Sequence, residues 1–124
     1  MRPVAGRWVL LAVAAGGVAG TLARAALEEL LPHGAGGWPW GTFVANLAGA
    51  FVLGLVARRL RTGAAYALLG AGVCGSLTTF STLQLQLYDL LDGGHGAVAA
   101  GYLAATVAAG LAAVVGGDRV GARA

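Results

Sequence analysis

The chain contains no lysine, one cysteine and few charges of any kind: 10% of its 124 residues are charged, against 58% hydrophobic. Each scarcity excludes something. Cys74 stands alone and cannot form an internal disulfide, so the redox compartment is not readable and the residue is read as a small buried side chain. With no lysine, the net charge of +3 rests on arginine. These arginines flank hydrophobic runs, where basic residues set membrane orientation, so no nucleic-acid partner is expected. His33 and His95 fall in short connections without a cysteine or carboxylate at ligating spacing, which argues against a side-chain metal cluster. Glu28, Glu29, Asp89 and Asp92 sit near the ends of apolar runs. This counts against the alternative of a proton-coupled small-molecule exporter of the four-helix, dual-topology type, which wants a titratable carboxylate deep in a helix.

What the sequence has is length without charge. Four uncharged runs are separable: Trp8 to Ala23, Trp40 to Ala57, Thr62 to Tyr88 and Gly96 to Gly117. Their composition belongs to a membrane protein. Arg2 and Arg7 ahead of the first run also fit a signal peptide, but the pattern Gly16-Gly17, Gly20 and Arg24 continues through any cleavage site, so the run is read as a helix. The expectation is an all-α membrane protein, a single four-helix transmembrane domain over 1–124, with helices at about 8–27, 40–57, 64–88 and 96–117.

The third run carries the chemistry. Its midpoint is Gly75, and Ser76, Thr78, Thr79, Ser81 and Thr82 cluster there, at the depth of the bilayer centre. Polar groups at that depth are costly unless protein, ion or water satisfies them, and non-helical backbone is tolerated there only inside protein or beside a cavity. A break at 75–80 that lines or holds something is therefore expected. Asn46 is the one amide of the second helix, suited either to an interhelical hydrogen bond or to a pore wall. Tyr102, Thr106 and Gly110 share one face of the fourth helix and extend a polar track. Arg24 has two readings of equal weight: an ion pair with Glu28 at i, i+4 spacing, or a charge at a water-filled entrance that attracts anions. Gly16 and Gly20 form a small-xxx-small pair for close helix packing.

Three motifs in order, Gly16-Gly17-x-x-Gly20-x-x-x-Arg24, Gly41-Thr42-x-x-x-Asn46-x-x-Gly49 and Gly72-x-Cys74-Gly75-x-Leu77-Thr78-Thr79-Phe80-Ser81-Thr82, closely resemble the CrcB/Fluc family of small fluoride channels, and the likeness covers nearly the whole chain. The resemblance implies an antiparallel dimer with two narrow pores and a passive exit route for fluoride from the cytoplasm, with no enzymatic step. It implies a structural sodium ion on the backbone carbonyls of Gly75 and Thr78 from both subunits. It also implies a fluoride path along Asn46, Phe80, Ser81, Tyr102 and Thr106, with Arg24 in the vestibule. Neutral donors and a ring edge suit a strongly hydrated anion that must be desolvated without being trapped. The family usually continues Phe-Ser-Thr-Phe; here Leu83 stands in the place of the second ring.

Orientation follows from arginine placement. Arg2 and Arg7, then Arg58, Arg59 and Arg61, then Arg119 and Arg123 fall on one side of an even number of helices, whereas Arg24 lies toward the other. Both termini are expected in the cytoplasm, in a plasma-membrane protein surrounded by lipid. So strong a bias starves a homodimer of inverted subunits and, with Leu83, points to a heterodimer with a related four-helix chain of opposite charge bias.

Overall fold

The computed structural model describes residues 3–124, with side chains described from Gly6 onward. Helix α1 spans Pro3–Leu30 and α2 spans Trp40–Arg59. The third span is two helices: α3, residues 64–77, and α4, Phe80–Asp92; α5 runs Gly96–Arg123. No strand occurs among the described residues. Four stretches are long and apolar enough to cross a membrane: Gly6–Leu30, Trp40–Arg59, Ala64–Asp92 and Gly96–Arg123.

Sequence punctuation sets the ends. α1 stops just ahead of Pro32, which disfavours helical backbone in the residue before it, and α2 starts directly after Pro39. The turn between α4 and α5 uses Gly94 at φ 80°, a left-handed conformation that glycine adopts without steric cost. All four spans run past their expected bounds at one or both ends, because the charged ends, with Arg7, Glu28, Arg58, Asp89 and Arg119 among them, remain helical.

Two pairs of parallel helices form the body, each built on glycine. A Cβ on Gly72 would sit 2.8 Å from the Gly16 Cα and 2.9 Å from the Val13 carbonyl oxygen, so α1 and α3 meet backbone to backbone. Gly20 continues the contact one turn on, against Val73 and Ser76. The small-xxx-small reading of Gly16 and Gly20 is thus met by packing. In the other pair, Gly54 faces Val114, Gly117 faces Phe51 and Gly121 faces the Arg58 side chain, which aligns α2 and α5 along their lengths. Arg58 pairs with Asp118 at 3.9 Å and the Arg59 Nε donates to the Gly121 carbonyl, tying the ends of α2 and α5 together. At the opposite end, His95 lies over Gly36, bringing the connection after α1 and the turn between α4 and α5 side by side.

Part of α3 is wound wide. Ala67–Cys74 is a π-helix, and the Gly75 N–H reaches back to the Gly70 carbonyl, five residues earlier. Gly72 leaves room for this winding against α1, while Gly70 faces Val56 of α2.

Candidate functional site: the interruption between α3 and α4

Helical backbone ends at Leu77 and resumes at Phe80. Thr78 (φ −79°, ψ 150°) and Thr79 (φ −148°, ψ 122°) are extended. The interruption is narrower than the expected 75–80: Gly75 is helical (φ −63°, ψ −30°) and Phe80 already opens α4. Two residues suffice because their polar groups are taken up locally. The Thr79 hydroxyl caps α4, accepting from the Thr82 N–H at 3.2 Å, as threonine does at helix starts. Thr78 turns back, donating from its N–H (3.1 Å) and its hydroxyl (2.8 Å) to the Cys74 carbonyl.

Asn46 closes the gap from α2. Its Oδ1 accepts from the Thr79 N–H at 2.7 Å and its Nδ2 donates to the Thr79 carbonyl at 3.2 Å. In an unbroken helix that Thr79 N–H would bond to the Gly75 carbonyl, four residues back. Asn46 therefore holds the break open and leaves the Gly75 carbonyl without its helical donor. This is the interhelical hydrogen bond foreseen as one reading of Asn46, made to backbone rather than to a side chain. Arg24 reaches the same place from α1: its Nε donates to the Ser76 carbonyl at 3.1 Å and its Nη1 lies 3.8 Å from Glu28 Oε1. Both the expected ion pair and an additional contact with α3 are present.

A helix end leaves its last four carbonyls without intrahelical partners. For α3 these are Cys74, Gly75, Ser76 and Leu77. Thr78 takes the first and Arg24 the third. The Gly75 and Leu77 carbonyls and, in the extended segment, the Thr78 carbonyl accept no hydrogen bond from the described residues. Hard oxygen atoms of this kind fit the sodium set implied by the sequence resemblance. Gly75 is exposed, and a Cβ there would meet only its own helix, the Gly70 carbonyl oxygen at 4.0 Å.

On the α5 side of the interruption lies an open groove of about 260 Å³ lined by Asn46, Thr78, Thr79, Phe80, Leu83 and Thr106. Four of the sequence-predicted residues, Asn46, Thr78, Phe80 and Thr106, therefore meet on one surface. Phe80 is 70% exposed, whereas Leu83 is packed to 6%. The Thr106 hydroxyl oxygen is buried without a hydrogen-bond partner. Gly75 lines a neighbouring groove of about 240 Å³ with Gly49, Cys74 and Thr78, so Thr78 borders both. Ser81 is exposed and sits outside the first groove, its Oγ 3.4 Å from the Thr79 hydroxyl.

Tyr102 is placed differently from the expected track. It is fully buried and its hydroxyl donates to Gln86 Oε1 at 2.8 Å, while Gln86 Nε2 donates to the buried Thr42 hydroxyl at 2.8 Å. This chain ties α5, α4 and α2 together between the groove and the far end. Gln86 and Thr42 were not singled out by sequence reasoning, although an amide inside an apolar run was the available signal. Trp38 packs edge-on to the Tyr102 ring, at 5.5 Å and 77°, and Phe43 packs edge-on to Trp38 beside it.

Residues 11–118 match the protein family described as CrcB-like protein, Camphor Resistance (CrcB). The chain belongs to the CrcB family. It is 46% identical over 110 residues to the fluoride-specific ion channel FluC 1 of Mycolicibacterium paratuberculosis, covering 85% of this chain and 83% of that one. It is 41% identical over 117 residues to FluC 2 of Nocardia farcinica, with 86% and 80% covered. FluC of Chlorobaculum tepidum is 36% identical over 113 residues, with 87% and 90% covered. In this CrcB-family chain the matched region contains α2, α3, α4, the interruption and the part of α5 that carries Thr106, and so every residue of the groove.

Proposed function

We propose that the chain is a subunit of a fluoride-specific channel that lets fluoride leave the cytoplasm by passive permeation across the plasma membrane. The observation that carries this reading is the groove at the interrupted third span, where Phe80 and the unpartnered Thr106 hydroxyl stand beside Asn46 and Thr78. Such a surface offers neutral donors and an aromatic ring but no fixed charge, which suits an ion that must shed water and still leave. Relatives named as fluoride-specific channels support the choice of ion. The fluoride path comprises Asn46, Phe80, Ser81 and Thr106, with Tyr102 acting through Gln86.

The groove is open in a single protomer, so the channel is completed by a second, inverted subunit crossing at Gly75. The exposed position of Gly75 and the absence of any neighbour that demands glycine there support a crossing partner. A sodium ion is the structural cofactor, held by the Gly75 and Thr78 carbonyls of both subunits; when bound it supplies positive charge that offsets the cost of unpaired backbone oxygens in the membrane. The arginine bias favours a heterodimer with a related chain, both termini of this one lying in the cytoplasm.

Reconstitution in liposomes tests the reading. The purified channel, with its partner subunit if assembly requires one, should dissipate a fluoride gradient rapidly and leave a chloride gradient standing. Equal efflux of both ions would remove the selectivity, and no efflux from an assembled dimer would remove the channel.

A further inference from the structure

Arg24 is the sole charged side chain bonded to the last turn of α3 among the described residues, and its bond is not to an open mouth but to the carbonyl next to Gly75. We propose that Arg24 is a positioning residue for the cation site: by engaging the Ser76 carbonyl it fixes the last turn of α3 and removes a competing oxygen, so that the ion meets the Gly75 carbonyl. The inference rests on the sodium reading above and adds to it a residue on a different helix.

The argument is one of sorting. Three groups, each from a different element, claim the polar backbone of the same short stretch. Thr78, from the interruption itself, takes the Cys74 carbonyl with two donors. Asn46, from α2, takes both backbone groups of Thr79. Arg24, from α1, takes Ser76. The Gly75, Leu77 and Thr78 oxygens are what these claims leave over, and the first and last of them are the proposed sodium set. Without Arg24, the Ser76 carbonyl is a further free oxygen directly beside Gly75, about 100° round the helix from it, and a cation site with an added alternative at that point is a looser one. A charged guanidinium suits the task because a charge-assisted hydrogen bond is stronger than a neutral one. Its position is held from three directions. Gly20 lets α1 lie against Ser76 and Val73. Glu28 steadies the far side of the guanidinium at 3.8 Å. The Ser76 hydroxyl is itself turned back to the Gly72 carbonyl at 2.7 Å and does not compete for the arginine. Arg24 is partly buried, its side chain 27% exposed, as a residue bonded between helices would be.

The test compares wild type, Arg24→Lys and Arg24→Gln as purified, assembled dimers in detergent. Thermal unfolding is followed while sodium chloride is titrated against choline chloride at constant ionic strength. The readout is the sodium concentration giving half of the full stabilisation. Lysine keeps the charge but lacks the Nε donor at that point on the side chain; glutamine lacks the charge and the reach. Either variant that accumulates as a folded dimer carries the test. Both should raise the half-saturating sodium concentration by about tenfold or more, the range for loss of an outer-sphere partner at a metal site. Glu28→Gln, at a half-exposed position, should shift it less and in the same direction. A uniform drop in melting temperature with an unchanged half-saturation would show a merely structural role and overturn the proposal. So would wild-type sodium dependence in Arg24→Lys with reduced fluoride flux in Arg24→Gln, the signature of a charge acting on anions at the mouth. If wild type itself gained no stability from sodium over choline, the cation site would fall, and the role of Arg24 with it; that result is distinct from the two in which only the Arg24 assignment fails.

Discussion

At the scale of single residues, the site is a set of hydrogen-bond commitments, and the uncommitted group is the informative one. Thr106 holds a buried hydroxyl with no partner in the protomer, directly on the groove beside Phe80. Thr106→Val keeps the shape and removes the hydroxyl, so it should leave the melting temperature unchanged or slightly raised, because no protein hydrogen bond is lost. Fluoride flux should fall by about tenfold, the equivalent of one hydrogen bond of roughly 1.4 kcal/mol. Melting curves and efflux rates on the same preparation check both halves, and a destabilised variant with normal flux would contradict the assignment. Asn46 and Thr106 were legible in the sequence because a polar group at membrane depth needs a reason, and Phe80 through the family resemblance of its motif. The partners of Asn46 and Arg24 were not legible, since those bonds join residues 33 and 52 positions apart. No local spacing rule reaches that far. Tyr102 illustrates the converse: helical periodicity put it on a polar face, but Gln86, from a neighbouring helix, binds its hydroxyl within the protein.

At the scale of elements, glycines divide into those that the protomer needs and those that it does not. Gly72 touches the α1 backbone at Gly16 and Val13, which cannot give way. Gly75, three residues on, faces open space. Gly72→Val should therefore separate α1 from α3, costing about 1–3 kcal/mol or more from overpacking and reducing the yield of folded protomer. Gly75→Val should fold normally and fail to dimerise. Size-exclusion chromatography with multi-angle scattering, alongside thermal unfolding, distinguishes the two outcomes; a dimeric Gly75→Val would contradict a crossing at that residue. The four spans were legible from the uncharged runs, and their ends from Pro32, Pro39 and Gly94. The π-helical winding of Ala67–Cys74 was not, because small residues permit either winding and contact with α1 decides between them.

At the scale of the whole molecule, the body is two glycine-seamed helix pairs with apolar side chains turned outward, among them Leu10, Leu22 and Leu111 at 71%, 65% and 65% exposure. Such a surface suits lipid and a second subunit. Arg58 and Arg59 sit where α2 and α5 end, and the parallel packing of α1 on α3 puts the start of α1 at the same end. The proposed orientation thus has a single basic face, which positive-inside sorting would keep in the cytoplasm. A reporter active only in the cytoplasm, fused after Ala124 in cells expressing this chain alone, should give nearly all the signal. Comparable signal from a reporter active only outside would show dual insertion and remove the need for a distinct partner. The central claim, that fluoride passes along the groove at the interrupted span, is tested most directly at Phe80. This residue opens α4 and is 70% exposed in the protomer, so Phe80→Ile changes the groove without disturbing a core. Fluoride efflux from liposomes carrying the assembled Phe80→Ile channel should fall at least about tenfold below wild type, with the dimer and its melting temperature retained; undiminished fluoride efflux from that variant would contradict the account.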